Sequence, residues 1–399
     1  MNIYSRENQL IDARFTYQPA NLLTFPSTVE ITDPWENGGS GAGNGSQALR
    51  AAVGEFFERQ HFYVDVVPDL RSGLSYSLSE GEVSKFTQAF SQTKKQHIAQ
   101  SALSAHQYNL SQVFRLSDLS SCHIPTACIT LSSVRTETEN VIYPLRDTCG
   151  CAFGWHPEHA ILGSLKESLE RQFLLKFWLT GICVKVIDVP TTETALAGTG
   201  AETLRTALAR SGQLSFIDIS ESGYPGICIL AVYGQRSKKH NVHYCAGMAY
   251  APTLELAMEK SLLELWQTYR FIDLFQSTGQ KIENIHDSYL RYFLHCNRFE
   301  IYEDITSVQT RELAPSHFTT RPFSLNSLLN SIARHNALGY IYLKAIPIED
   351  SLGYCSKFVS PDFFMHMNNS QHINLKNLYS EPFFQEILPT RTEQMVPFP

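Results

Sequence analysis

Apolar positions along the chain follow two periods. Runs of β-branched and aromatic residues at Ile182–Val189, Gly226–Tyr233 and Tyr340–Ile348 predict strands, and stretches with apolar residues every three to four positions predict helices between them. The two signals alternate, so the class is mixed α and β. The longest apolar stretch, Phe173 to Val189, is interrupted by Lys176, Lys185 and Asp188, which makes it a buried helix and strand rather than a membrane span. Pro361 and the chain from Pro382 onward read as irregular, surface-wrapping segments.

Three helical segments align without gaps: Ala48–Arg59, Ala160–Arg171 and Ala257–Thr268. Four positions after each first alanine stands a small residue (Ala52, Ser164, Ser261), followed by an aliphatic one (Val53, Leu165, Leu262). Glutamate follows seven positions after the alanine (Glu55, Glu167, Glu264), and three further on comes Glu58, Glu170 or Gln267. Ten positions before each alanine is a glycine: Gly38, Gly150 or Gly247. Long-range recurrence of one pattern marks a repeated structural unit. The expected unit is a glycine turn feeding an amphipathic helix, with a strand before the turn in the second and third copies. Small residues on the buried face let each helix approach a sheet or another helix closely. Arranged about a common centre, the three helices would bring their carboxylates together.

Carboxylates three residues apart on a helix are neighbours, and on an exposed helix they repel by a few tenths of a kcal/mol. Arg59 and Arg171, four residues after Glu55 and Glu167, could offset this as ordinary solvated ion pairs. The alternative is a hard divalent cation. Magnesium takes oxygen ligands, usually one or two carboxylates completed by phosphate oxygens and water. Glu55, Glu58, Glu167 and Glu170 suffice for two ions, and the neutral Gln267 of the third copy suggests a hydrogen bond to nucleotide or substrate. The glycine-rich run Gly38–Gly45 reads as a loop whose N–H groups could face an anion. It has neither the Walker spacing nor that of a dinucleotide fingerprint.

Composition narrows the choice of partner. With 399 residues, 43% hydrophobic and 18% charged, the chain can bury a large core. A net charge of −7 offers no positive field to nucleic acid or an anionic membrane, so neither is expected as a partner. The first residues lack the basic start and apolar stretch of a secretory signal, and nine scattered cysteines without a C-x-x-C pair argue for reduced thiols. A cytoplasmic location is expected. Cys149-x-Cys151, with His123 and His156 near in sequence, lacks the spacing of a structural zinc site.

Gly54-Glu-Phe-Phe-Glu-Arg59, Glu167-Ser-Leu-Glu-Arg-Gln172 and Glu264-Leu-Trp-Gln267 resemble the nucleotide and magnesium motifs of the YcaO family, ATP-dependent proteins that activate peptide backbone amides. Arg146-Asp-Thr-Cys-Gly-Cys-Ala152, Val359-Ser-Pro-Asp-Phe-Phe-Met-His-Met-Asn-Asn369 and Met395-Val-Pro-Phe-Pro399 resemble the cyclodehydratase subunits of microcin B-type synthetases. Two departures stand out. Ala51 occupies a position where many members carry serine, and the proline-rich terminus is shortened to Pro397-Phe398-Pro399.

The resemblance implies an α+β YcaO-type fold in which three strand, glycine-turn and helix units surround a central nucleotide site. It implies one domain over residues 1–399, with a tail at 382–399 reaching the active site. In the implied reaction a Cys or Ser side chain of a precursor peptide attacks the preceding amide carbonyl. ATP phosphorylates the former amide oxygen, and phosphate leaves to give a thiazoline or oxazoline. The cofactors implied are ATP and Mg2+. Glu55, Glu58, Glu167 and Glu170 are the expected metal and ATP residues, joined at the nucleotide by Gln172, which contacts it or organises the site. Arg59 and Arg270 are expected phosphate contacts, and Glu264, Gln267 and Pro399 the catalytic group. The implied partners are the precursor peptide, a leader-binding subunit and an FMN-dependent dehydrogenase that oxidises azolines to azoles. A non-catalytic scaffold subunit, or a relative that makes thioamides or amidines, are the competing readings.

Overall fold

The computed structural model describes residues 13–18, 25–34, 37–311 and 322–398. Strands β1 (Arg14–Gln18), β2 (Ser27–Thr32) and β3 (Gly38–Gly43) form an antiparallel sheet and lead into helix α1 (Ser46–Gln60). Strand β4 (Leu70–Ser72), helices α2 (Glu80–Thr93) and α3 (Gln100–Ala105), and strands β5 (Tyr108–Arg115), β6 (Ser121–Pro125) and β7 (Cys151–Gly154) precede the long helix α4 (Pro157–Thr180). The middle of the chain holds β8 (Ile182–Cys183), β9 (Lys185–Ile187), α5 (Val189–Leu196), α6 (Glu202–Ser211), β10 (Gln213–Asp218), β11 (Ile227–Gly234), β12 (Tyr244–Ala251) and α7 (Leu254–Ser277). Then follow α8 (Ser288–His295), α9 (Phe299–Thr306), β13 (Gln309–Thr310), α10 (Leu325–Arg334), β14 (Tyr340–Ile348), β15 (Ser351–Val359) and α11 (Pro389–Thr392).

The largest sheet runs in the order β4-β5-β14-β15-β7, with β6 also on β5, and a second runs β12-β11-β10-β9. Local chemistry sets the helix ends. Pro157 opens α4 at a position where no N–H is needed, and Gly181, in the left-handed region at φ 69°, stops it. Thr253 caps α7 by accepting from the Leu256 N–H.

Helices α1, α4 and α7 each follow a strand and pack on it: α1 on β3, α4 on β7, α7 on β12. Each also touches the strand of another unit, α1 on β7, α4 on β12 and α7 on β3, so the three units close into a ring. The small residues face this packing, and Ala48, Ala52, Ala160, Ser164, Ala257 and Ser261 are fully buried.

The glycines behave otherwise than expected. Gly38–Gly43 is strand β3, not a loop, and Gly247 lies inside strand β12, not in a turn. Of the three aligned glycines, only Gly150 sits in a turn, at φ 71°. The physical reason is proximity. A Cβ on Gly41 would lie 2.3 Å from the Ala48 carbonyl oxygen, and one on Gly247 would lie 2.1 Å from the Leu265 nitrogen. Bare strand backbone is what lets the helix lie directly on the sheet.

Two further expectations change. The run Ile182–Val189 is split into β8 and β9, and Val189 already begins α5, where Asp188 caps the helix. The segment around Pro361 is irregular, as expected, but interior: Asp362, Phe363 and Phe364 are buried. Its hydrogen bonds explain this, since Leu338 N–H donates to Asp362 and Asn374 donates to the Phe363 carbonyl. The end of the chain is likewise interior, with Val396 and Phe398 packed into the core around α4. All nine cysteines are buried. Among the described residues no helix is long and apolar enough to cross a membrane.

Candidate active site

Glu55 and Glu58 lie in the second half of α1, Glu167 and Glu170 mid-way along α4, and Glu264 and Gln267 mid-way along α7. Three residues advance a helix about 60° short of a full turn, so the members of each pair flank one stripe and address different neighbours. The first member bonds within its own unit. Glu55 accepts from the Ser40 N–H at 2.7 Å and the Ser40 hydroxyl at 3.0 Å, and Glu264 accepts from the Met248 N–H at 2.7 Å. In the second and third copies the second member reaches another unit's strand. Glu170 accepts from the Tyr250 N–H on β12 at 2.6 Å, and Gln267 donates to the Ser40 hydroxyl on β3 at 2.6 Å.

The carboxylates also sense one another across units. Burial, and then the charge of Glu55, pushes the Glu58 carboxyl up to about 8, against the opposing pull of Arg59, Lys357 and Arg171. Burial and then Glu58 raise Glu167 well above the carboxylate range. Burial and then Glu170 push Glu264 up to about 7. Repulsion thus runs from α1 through α4 to α7 in one continuous set. The ion pairs expected from spacing are present, Arg59 to Glu55 at 2.5 Å and Arg171 to Glu167 at 3.8 Å, but they leave this repulsion uncancelled.

An all-oxygen donor set, partly buried and mutually repelling, fits a hard divalent cation, whose charge would relieve the repulsion. Among the described residues no three His, Cys, Asp or Glu side chains close around one point. Magnesium does not require such a cage, since it keeps water and phosphate oxygens as ligands. A cleft of about 380 Å³ opens between β2, β3, α1 and α7, with Ser40, Glu55 and Arg59 on its polar side and Ile31, Phe271 and Phe275 on its apolar side. Its size is that of a small-molecule site.

The remaining expected residues are placed as follows. Arg270 does not line the cleft; it donates to Gln18 of β1 at 3.0 Å and lies over the Trp266 ring. Gln172 is fully buried, and both ends of its amide are taken by Phe364, whose N–H donates to it at 2.8 Å and whose carbonyl accepts from it at 3.1 Å. It does not line the cleft. Ala51 is exposed on α1, with its Cβ beside Gly41 of β3. Pro399 lies outside the described residues, and the chain before it is held closely. Tyr244 donates to the Pro397 carbonyl and Tyr289 to that of Phe398, each at 2.6 Å. The Arg171 guanidinium lies 5.5 Å from the centre of the Phe398 ring.

Two residues escaped the sequence reading. Ser40 is the hinge of the α7-to-α1 link, hidden in a run read as a loop. Lys357 on β15 is buried, donates to the Asp147 carbonyl at 3.0 Å, and contributes positive charge at Glu58. Its signal was a lysine set in the apolar stretch Cys355-Ser-Lys-Phe-Val359. The two long motif strings meet at Asp147, whose carboxylate accepts from the Cys149 N–H at 3.0 Å and the Met367 N–H at 2.6 Å. These bonds tie the two strings together in the fold.

Three strand-and-helix units whose buried carboxylates repel one another in a continuous set, with Glu55 opening onto a cleft between the first unit and the third, are the framework of an ATP- and Mg2+-binding enzyme fold. A family model described as YcaO cyclodehydratase, ATP- and Mg2+-binding, matches residues 38–341. The chain belongs to the YcaO cyclodehydratase family. It is 32% identical over 405 residues to the microcin B17-processing protein McbD of Escherichia coli, with all of both chains covered. It superposes on a chain of the E. coli microcin synthetase McbBCD complex with pro-MccB17 bound with a TM-score of 0.88, covering 96% of each chain at 32% identity. A YcaO protein from Methanopyrus kandleri bound with AMPPCP and Mg2+ shares the fold, with a TM-score of 0.58 at 14% identity over 90% of this chain and 88% of that one.

Proposed function

We propose that this protein is the ATP-dependent cyclodehydratase of a microcin B-type synthetase, converting Cys and Ser residues of a ribosomal precursor peptide to thiazolines and oxazolines. The observation that carries the reading is the continuous repulsion linking Glu55, Glu58, Glu167, Glu170 and Glu264 across three helices beside one cleft. When bound, Mg2+ supplies charge neutralisation for the transferring phosphoryl group. Glu55, Glu58, Glu167 and Glu170 are its proposed ligands, directly or through water. Arg59 offers a guanidinium to phosphate from the cleft wall. Gln267 and Glu264 position the acidic set by bonding β3 and β12. The chain end at Pro399 is assigned to proton movement at the peptide.

In this reading ring closure and phosphoryl transfer share one oxygen: the Cys or Ser side chain adds to the amide carbon, the former carbonyl oxygen takes the phosphoryl group, and phosphate departs. Positioning and electrostatics supply most of the rate. The leader-binding and FMN-dependent dehydrogenase subunits are proposed to be separate chains, a reading supported by the likeness of this chain to one chain of the McbBCD complex. The proposed location is the cytoplasm. The test is incubation of the reconstituted complex with precursor peptide, ATP and Mg2+. The expected result is loss of one water mass per ring, abolished by Glu58→Gln. Peptide processing undiminished by Glu58→Gln, or a mass gain from sulfur replacing oxygen, would remove this assignment.

A further inference from the structure

Three tyrosine hydroxyls donate to carbonyls of the chain end. Tyr292 holds Met395 at 2.5 Å, Tyr244 holds Pro397 at 2.6 Å, and Tyr289 holds Phe398 at 2.6 Å. Asn369 adds to them, accepting from the Val396 N–H at 2.8 Å and donating to the Gln394 carbonyl at 2.8 Å. Tyr244 and Asn369 are buried in the core and serve residues that would be interior in any case. Tyr289 differs. It is only partly buried, it stands at the start of α8, and its acceptor is the last carbonyl before the terminal residue.

The same Phe398 is held from its other side. Arg171 covers its ring at 5.5 Å while pairing with Glu167 at 3.8 Å, so a charge–π contact and an ion pair join the tail to the carboxylate helices. Without the Tyr289 bond, the Phe398 peptide plane could rotate while the ring stayed in place. Burial pushes the Tyr289 phenol up to about 12, which keeps it a hydrogen donor throughout the working range.

We infer that Tyr289 is a positioning residue for the reaction: its hydroxyl fixes the Phe398 carbonyl and thereby holds the chain end beside the Arg171–Glu167 pair of α4. The inference rests on the proposed role of the tail. It assigns to a loop-proximal tyrosine, outside every motif of the family resemblance, a part in turnover and none in nucleotide binding.

The test uses the assembled complex with precursor peptide and ATP, and compares Tyr289→Phe, deletion of residues 397–399, and the two combined. Tyr289→Phe is expected to lower kcat of peptide cyclisation about tenfold, the loss of one positioning hydrogen bond. KM for ATP, melting temperature and complex assembly should stay unchanged. Digestion by a proline-tolerant carboxypeptidase should release the terminal residues faster from Tyr289→Phe than from the parent. In the truncated background Tyr289→Phe should cost nothing more, because its acceptor is gone. An unchanged kcat and unchanged digestion in Tyr289→Phe would overturn the inference, as would an equal loss in both backgrounds. A truncated protein with full activity would overturn the tail's role itself, and that outcome is distinct from a failure confined to Tyr289.

Discussion

Gln267 on α7 donates to the Ser40 hydroxyl on β3 at 2.6 Å, and the same hydroxyl donates to Glu55 on α1 at 3.0 Å. One side chain therefore couples the third unit to the first and orients a proposed metal ligand. Ser40→Ala leaves the backbone N–H of residue 40 on Glu55 but removes both side-chain bonds. The expected outcome is a loss of about 0.5–1.5 kcal/mol in stability with a several-fold rise in KM for ATP. Denaturant unfolding and steady-state kinetics measure the two separately.

The buried carboxylates make stability depend on pH when metal and nucleotide are absent. Glu58 titrates near 8 and Glu264 near 7 in the folded chain, both raised first by burial and then by a neighbouring glutamate. A carboxyl with a raised folded pKa holds its proton more tightly folded than unfolded, so its contribution is fully present below its unfolded pKa and lost as pH rises through the folded value. Melting temperature in chelator should therefore fall from about pH 5 to about pH 8. Glu58→Gln should flatten part of that slope, and Mg2+ with ATP should restore stability at the upper end. A chelated parent protein with a flat profile would contradict the electrostatic reading.

Gln172 spends both ends of its amide on the Phe364 backbone in a fully buried place. Replacing it by leucine strands a buried N–H and a buried carbonyl, at an expected cost of about 2–5 kcal/mol. Because the side chain faces away from the cleft, KM for ATP in whatever protein remains folded should be near the parent value. Urea unfolding and ATP kinetics on the same preparation test the split.

Two glycines of the repeated units should respond oppositely to alanine. Gly247→Ala places a Cβ 2.1 Å from the Leu265 nitrogen and 2.3 Å from the Ser261 carbonyl oxygen, both backbone atoms that cannot step aside without moving α7. The expected loss is about 3 kcal/mol or more, seen as poor soluble yield or a lowered denaturation midpoint. Gly54→Ala meets only the Phe153 ring edge at 3.6 Å, and α1 should gain up to about 1 kcal/mol from the better helix former.

The helices, the small-residue stripe and the paired carboxylates were legible because each is a local matter of period and spacing. Glu55 with Glu58 and Glu167 with Glu170 could be matched as pairs by counting along one chain. What each pair touches could not be counted. Glycine signalled a loop across 38–45 and a turn at 247, yet Gly41 and Gly247 serve contact between strand and helix, a demand that arises only when the helix arrives. Gln172 looked available to nucleotide because its motif continues from Glu170, whereas helical rotation turns it toward the segment at Phe364.

By itself the sequence determined that three like helices exist, that each carries a polar pair one turn wide, and that their buried faces are small; these follow from chirality, period and side-chain volume. Tertiary structure alone decided which strand each pair addresses, that Lys357 stands behind Glu58, and that the chain end lies under Arg171 instead of in solvent. The reason is physical: such contacts join residues far apart in the chain, and their energies come from burial and charge that exist only after the three units have closed on one another.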